Sequence, residues 1–336
     1  LSVSSKGDKF FSTCRKSGLD EENCMRDTPC ESQRTTAPAG RRRTLLALFG
    51  AGIAAATLPQ TGFAQSAPTM KRIAAGRNHM SWQFGELRIV ALRDGHVDMP
   101  PARLRQVNGE ALGALPPGMP LADGKLRLSV NAYVVIEPSR AILIDTGAAD
   151  TWAPSMGLLP EAMKEAGIDR NSITQVAITH THRDHVNGLI TADGSDGFPN
   201  AQQIYVPREE IATITGRLAV LRNRIVPIDH DFAISDHVRA VRAAGHSAGH
   251  TMYEVRSRAG RLLFWGDIVH APFVQFGRPE ITWELDEDQA WARSTRIEVL
   301  KRVTGDSYLV AGAHLDFPGI GHVTKSGQAY AFRPLD

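Results

Sequence analysis

"THTHRDHVNG", residues 179–188, decides the fold, because it places His180, His182, Asp184 and His185 on one short stretch. A solitary histidine in a chain that holds twelve is ordinarily a surface residue or a satisfied core residue. Three beside an acid are another matter. Neutral imidazole and carboxylate are the nitrogen and oxygen donors that suit zinc, and burying them together without a cation leaves lone pairs and charge unpaired. The preceding "ITQVAIT" (173–179) reads as a strand. The donors therefore sit on a loop at a strand's carboxyl end, where α/β folds place their chemistry.

Three further donors follow at the ends of apolar runs: His250 in "GHSAGHT", Asp267 in "FWGDIVH" and His314 in "AGAHLDFPG". Seven ligands exceed one tetrahedral zinc and suit two. The expected division is His180, His182 and His250 at one metal, Asp184, His185 and His314 at the other, and Asp267 between them. Two metals about 3.5–4 Å apart can share a hydroxide, the nucleophile of two-metal hydrolases at neutral pH. His246, four residues before His250, has two readings: a hydrogen-bonding partner behind the ligands or a plain loop histidine. The donor set makes zinc the expected metal and leaves manganese, cobalt and iron as alternatives.

The whole series, H-x-H-x-D-H, then G-H, G-D and A-x-H, resembles the metallo-β-lactamase superfamily over about residues 82–336. That resemblance implies an α/β fold, a four-layer αβ/βα sandwich of two mixed β-sheets with outer helices and the metals at one edge. "ILIDTGA" (142–148) matches a family motif beside the site and gives Asp145 a supporting role. No cysteine follows residue 64, which departs from the zinc β-lactamases that use one. His182 stands where the di-iron oxygen reductases carry Glu. "VQFGRPEITWELDEDQ" (274–289), "AHLDFPGIGHV" (313–323) and "YAFRP" (330–334) resemble the branch of methyl parathion hydrolase and its exported lactonase relatives.

What the branch implies is a binuclear zinc hydrolase whose bridging hydroxide opens lactones of the N-acyl-homoserine type, cleaves aryl phosphotriesters, or does both. In that scheme the Asp184, His185 and His314 metal polarises the electrophilic oxygen. A homodimer is also implied. His270, three residues after Asp267, departs from the branch, and its two readings are a proton donor to the leaving oxygen or a plain pocket-wall histidine. Phe273, Phe276 and Phe317 flank ligand segments and are expected to wall an apolar pocket, with at least one of them in the core. The alternatives are another ester or sulfatase-like hydrolase of the same fold and a non-catalytic metal-binding protein.

The rest of the chain bounds these readings. With 42% apolar and 22% charged residues it has the composition of a folded globular protein. A net charge of +2, with no basic block in its central or C-terminal parts, excludes a nucleic-acid track and favours a small-molecule substrate. "GRRRTLLALFGAGIAAATLPQTGFAQS" (40–66) has arginines at 41–43, an apolar run from Leu45 to Leu58 and a small-x-small site at Gly62-Phe63-Ala64. It reads as a twin-arginine-like export signal, residues 41–64, with a Sec signal as the alternative, and predicts a periplasmic or secreted protein. The run is too short for a membrane anchor, because a spanning helix needs about 20 residues. Residues 1–40 read as a disordered extension or a mis-assigned start, with Met25 a candidate. Cys14, Cys24 and Cys30 all fall there. Residues 65–336 are expected to be a single hydrolase domain.

Along that domain the β-branched runs 127–137 and 141–148 predict a buried hairpin, Leu159–Ala166 a short helix stopped by Gly167, and Glu287–Val303 an amphipathic helix. Arg208–Arg222 has helical spacing. "GALPPGMPLADGK" (113–125) reads as a surface loop.

Overall fold

The computed structural model describes residues 68–335 apart from 230, 306 and 307. The expected extension, export signal and cysteines lie outside the described residues. Among the described residues, no helix is long and apolar enough to cross a membrane.

Two mixed sheets carry the architecture. In the first, strands Lys71–Ala75, His79–Phe84, Leu87–Met99, Leu126–Glu137 and Arg140–Ile144 pair antiparallel in chain order, and Gln175–Ala177, Gln203–Pro207 and Ile225–Ile228 add on in parallel. The second runs Val238–Arg242, Thr251–Ser257, Gly260–Phe264, Leu309–Ala311, Ile320–Ser326 and Ala329–Pro334, with one parallel pair, Gly260–Phe264 against Leu309–Ala311.

The period of two along each strand builds the layers. Tyr133, Val135, Ile142 and Ile144 point inward to meet Tyr253, Val255, Leu262 and Phe264 of the second sheet. Their neighbours Val134 and Leu143 point outward, against Leu159, Ala162 and Met163 of helix α1, Leu159–Glu165. On the far side Leu263 and Val310 pack against Val299, Leu300 and Val303 of a helix spanning Gln289–Gly305. Helix, sheet, sheet and helix follow one another, the fold that the sequence predicts.

The hairpin and both of these helices form as expected. Arg208–Arg222 departs from expectation: it is two 3-10 stretches, Arg208–Thr213 and Gly216–Arg224. Extended Thr215 and Gly216, whose φ is 55°, break the α-helix there. The loop 113–125 stays irregular apart from a bridge of Ala122 to Lys125. A small ribbon pairs Thr282–Trp283 with Leu104–Arg105 and brings Trp283 beside the strand-end loops.

Candidate metal centre

Four strand ends deliver the donors to one edge of the sandwich. Ile144 ends a strand, and Asp145 turns the chain with a φ of 56°, a left-handed conformation that aspartate tolerates better than most side chains. Its carboxylate accepts from the Thr179 N–H at 2.8 Å and from His185 Nδ1 at 2.8 Å. After Gln175–Ala177 the chain passes His180 and His182 and enters a one-turn helix, Arg183–Val186, which carries Asp184 and His185. Gly188 lets this turn lie against the first sheet, since a Cβ there would stand 1.8 Å from the Thr146 carbonyl oxygen.

Asp267 follows the strand Gly260–Phe264 and Gly266, and His314 follows Leu309–Ala311. The ligand atoms of His180, His182, His246 and Asp267 lie within 4.8 Å of one another. Those of Asp184, His185 and His314 form a second group inside the same limit. Asp267 links them. Its Oδ1 is 3.2 Å from His185 Nε2, and its Oδ2 is 3.2 Å from the Nε2 atoms of both His246 and His314.

His246 and His250 exchange the places that the sequence assigned to them. Nδ1 of His250 lies 3.1 Å from the Ala243 carbonyl, which can only accept, so that nitrogen carries the proton. Its Nε2 accepts the Asp267 backbone N–H at 3.0 Å. Both ring nitrogens are used, burial and neighbouring His246 bring the pKa down to about 3, and no electron pair is left for a metal. His250 aims Asp267 instead. His246 gives its Nδ1 proton to Asp286 Oδ1 at 2.8 Å and presents Nε2 to the group. Asp286 in turn accepts the Trp283 N–H and lies 3.6 Å from the buried Arg296 guanidinium.

The donor set fits cations. His185 donates Nδ1–H to Asp145 and His314 donates Nδ1–H to the Ser129 carbonyl at 2.8 Å, so the Nε2 of each is the nitrogen that faces the carboxylates. Burial opposes charge on both rings, yet Asp267 raises both above their ordinary pKa, so that without a metal a proton takes the place of a cation there. His185 Nε2 and Asp267 Oδ1 are buried with no hydrogen-bond partner. In the first group the Nε2 atoms of His180 and His246 lie 2.9 and 3.0 Å from the same His182 Nδ1, which holds at most one proton. Burial, with His185 close by, pushes His180 well below its ordinary pKa; burial and His246 bring His182 down to about 4. Both are neutral at pH 7. Burial opposes charge on His246, yet Asp267 and Asp286 raise it to about 9, so the metal-free pocket draws in a proton where positive charge belongs. Two divalent cations satisfy all of these groups together.

His270 joins the same cluster. It stacks between Trp283, centroids 5.3 Å apart, and His314, 5.2 Å apart, with neither ring nitrogen hydrogen-bonded and Nε2 3.2 Å from Asp267 Oδ2. Burial lowers it to about 4, so it meets a ligand as neutral imidazole and not as imidazolium.

A cavity of about 320 Å³ opens over the donors. Its walls are Val97, Met99, Leu128, Trp152, Trp283 and Leu285, and its floor includes His182, Asp184, His246, Asp267, His270 and His314. Arg183 is the only Lys or Arg among its described lining residues. Of the three phenylalanines expected there, none lines it. Phe276 is 4% exposed and stacks on Phe332 in the outer core of the second sheet. Phe317 packs against the core between the sheets. Phe273, 54% exposed, borders an adjoining cavity of about 300 Å³ that shares Leu128 and His270 with the first. The residues missed from sequence are Asp286 and Trp283, both inside the stretch 274–289, and the Val97 and Met99 walls, which carry no local signal.

Comparison with known proteins agrees with this geometry. A family model described as the metallo-beta-lactamase superfamily matches residues 126–314, more than half of the chain. A hydroxyacylglutathione hydrolase of Actinobacillus pleuropneumoniae serotype 3 is 31% identical over 99 residues, which is 29% of this chain and 36% of that protein. The match thus spans about a third of that relative's length. Among solved structures, the hydrolase AbOPH of the beta lactamase superfamily superposes with a TM-score of 0.70 at 27% identity, covering 78% of this chain and 99% of that one. AidC, a dizinc quorum-quenching lactonase solved with its N-hexanoyl-L-homoserine product, gives a TM-score of 0.67 at 20% identity over 80% and 98% of the two chains, a likeness of fold. With its sandwich, its paired donor groups and the family match over the segment that carries them, the chain belongs to the metallo-beta-lactamase superfamily.

Proposed function

We propose that the protein hydrolyses neutral esters with an apolar substituent: lactones of the N-acyl-homoserine type, aryl phosphotriesters, or both. The observation that carries this reading is the cavity, whose walls are apolar and whose described lining holds one cationic side chain, Arg183. A lactone and a phosphotriester are both uncharged, with an electrophilic centre next to an apolar group. A glutathione thioester or a sulfate monoester carries net negative charge, and Arg183 alone would have to meet it. The adjoining cavity past His270, bordered by Phe273, Met119 and Leu121, extends the apolar surface for an acyl chain or aryl ring.

We assign His180, His182, His246 and Asp267 to one cation and Asp184, His185, His314 and Asp267 to the other, with zinc the metal that this N/O donor set suits. When bound, such a pair supplies an activated water and a Lewis acid for the substrate oxygen. The chain's own contribution is placement. Asp145 and Asp286 fix the ring orientations of His185 and His246, and His250 fixes the backbone of Asp267. Trp283 holds His270 flat in the cavity, where its neutral ring can give a hydrogen bond to a departing oxygen. Export remains part of the reading, supported by the arginine cluster and apolar run of residues 41–64, and so does a homodimer, supported by the resemblance of the C-terminal segments.

The deciding experiment compares kcat/KM of the metal-loaded protein for a long-chain N-acyl-homoserine lactone and for methyl parathion under identical conditions. A ratio of 100 either way, about 2.7 kcal/mol of transition-state preference, identifies the favoured chemistry. Turnover of neither would overturn the substrate class and leave the metal centre standing.

A further inference from the structure

Glu210 is a buried acid that no motif singles out. It sits in the turn Arg208–Thr213, directly after the strand Gln203–Pro207. Its Oε2 accepts from the Thr181 N–H at 3.2 Å and from Thr181 Oγ1 at 2.7 Å. Its Oε1 accepts from Ser247 Oγ at 2.5 Å and from the Gly249 N–H at 2.9 Å. Thr181 stands between His180 and His182, and Ser247 follows His246. One carboxylate thus ties together the two segments that carry all three histidines of the first group. None of these four bonds reaches Asp184, His185 or His314.

The chemistry of the partners requires a carboxylate. Two are backbone N–H groups and two are hydroxyls that donate here, so acceptors are needed at both ends of the side chain. An amide would set an NH₂ group against one of the backbone donors. Gly249 lets the loop close on Glu210, since a Cβ there would lie 2.6 Å from Glu210 Cγ. Burial works to raise the carboxyl's pKa, but the hydrogen bonds from Ser247 and Thr181 outweigh it and hold the pKa below its ordinary value.

We propose that Glu210 is a positioning residue for the first cation site, holding His180, His182 and His246 in mutual register while leaving the second site untouched. The proposal rests on reading the two donor groups as two cation sites, and its test separates the two ideas. The full chain is stripped with a chelator and titrated with zinc against a chromogenic competitor. The titration is run in a His185→Ala background, which leaves the first site, and in a His246→Ala background, which leaves the second. Glu210→Gln is expected to weaken zinc binding about tenfold or more in the first background, in the range for loss of an outer partner of metal ligands, and by less than about twofold in the second.

Equal weakening in both backgrounds, or none in the first, overturns the clamp and leaves a merely structural acid, which thermal melting of the metal-free variants would register. A wild-type chain that binds no zinc overturns the cation-site reading itself, and the clamp with it. If Glu210→Gln does not fold, Ser247→Ala removes one of the four bonds and is read in the same way: a weaker first site with the second unchanged supports the clamp, and any other pattern overturns it.

Discussion

The loops at 179–188 and 245–250 meet at one donor cluster but work by different rules. In the first, His180, His182, Asp184 and His185 all turn into the cluster. In the second, two histidines four residues apart have opposite fates: His246 turns its Nε2 into the cluster, and His250 has spent both nitrogens on Ala243 and Asp267. Residue type and spacing do not distinguish those two. The hydrogen-bond partner of each ring does, because it decides which nitrogen carries the proton. A dense motif leaves its side chains little choice, whereas a sparse one is decided by the segments that pack on it.

The largest effect expected from this contrast is at His246. His246→Ala should cost one metal equivalent and lower kcat/KM by more than about 100-fold, beyond what loss of an outer hydrogen-bonding partner costs. His250→Ala should keep two equivalents and lose stability instead. It strands the buried Asp267 N–H and Ala243 carbonyl, at about 1–3 kcal/mol for an unsatisfied group. Metal analysis and thermal melting of the two variants read both outcomes. If His250→Ala lost a metal while His246→Ala kept both, the two histidines would have to be exchanged again.

The same distinction between sequence neighbourhood and packing separates Phe273 from Phe276, three residues apart, the first inside the one-turn helix Pro272–Gln275 and the second at its C-terminal cap. Phe276→Ala should cost about 3–5 kcal/mol, as removal of a core aromatic does, with KM unchanged. Phe273→Ala should shift stability by less than about 0.5 kcal/mol, as exposed substitutions do, while raising KM for long-chain substrates. Chemical denaturation and a chain-length series of substrates measure the pair. A large stability loss at Phe273 would show that its exposed ring is part of the core after all.

These contrasts mark how much was legible. The two sheets could be read because runs such as "AILIDTGA" and "RLLFWGD" are apolar on both faces, as strands between two packed layers must be. Six of the seven expected ligands fall in the cluster: four come from the one dense motif, and Asp267 and His314 each follow an apolar run. His250 failed because its deciding contact, the Asp267 N–H, comes from 17 residues away. The pocket failed more widely. Val97 and Met99 lie beyond a bulge at Arg93 and Gly95 in a long strand, and Trp283 arrives through a two-residue ribbon, neither of which an apolar pattern announces.

The smallest effect expected is a pH dependence that separates the braces from the ligands. Glu210 holds its proton less tightly folded than unfolded, because the hydrogen bonds of Ser247 and Thr181 outweigh burial. Between its ordinary value of 4.5 and the lower folded value, the unfolded chain therefore binds more protons than the folded one. In that window stability rises with pH. The contribution is present above 4.5 and lost as the pH falls through the folded value. Metal-free melting curves between about pH 3 and 6, spanning the carboxylate range, should thus slope more steeply for wild type than for Glu210→Gln. Stripping the metal matters, since at these pH values the histidine ligands release it and would add their own protons to the slope. Coincident slopes would mean that the four hydrogen bonds do not favour the ionised carboxylate, and the brace between the two loops would then lose its electrostatic basis while keeping its geometry.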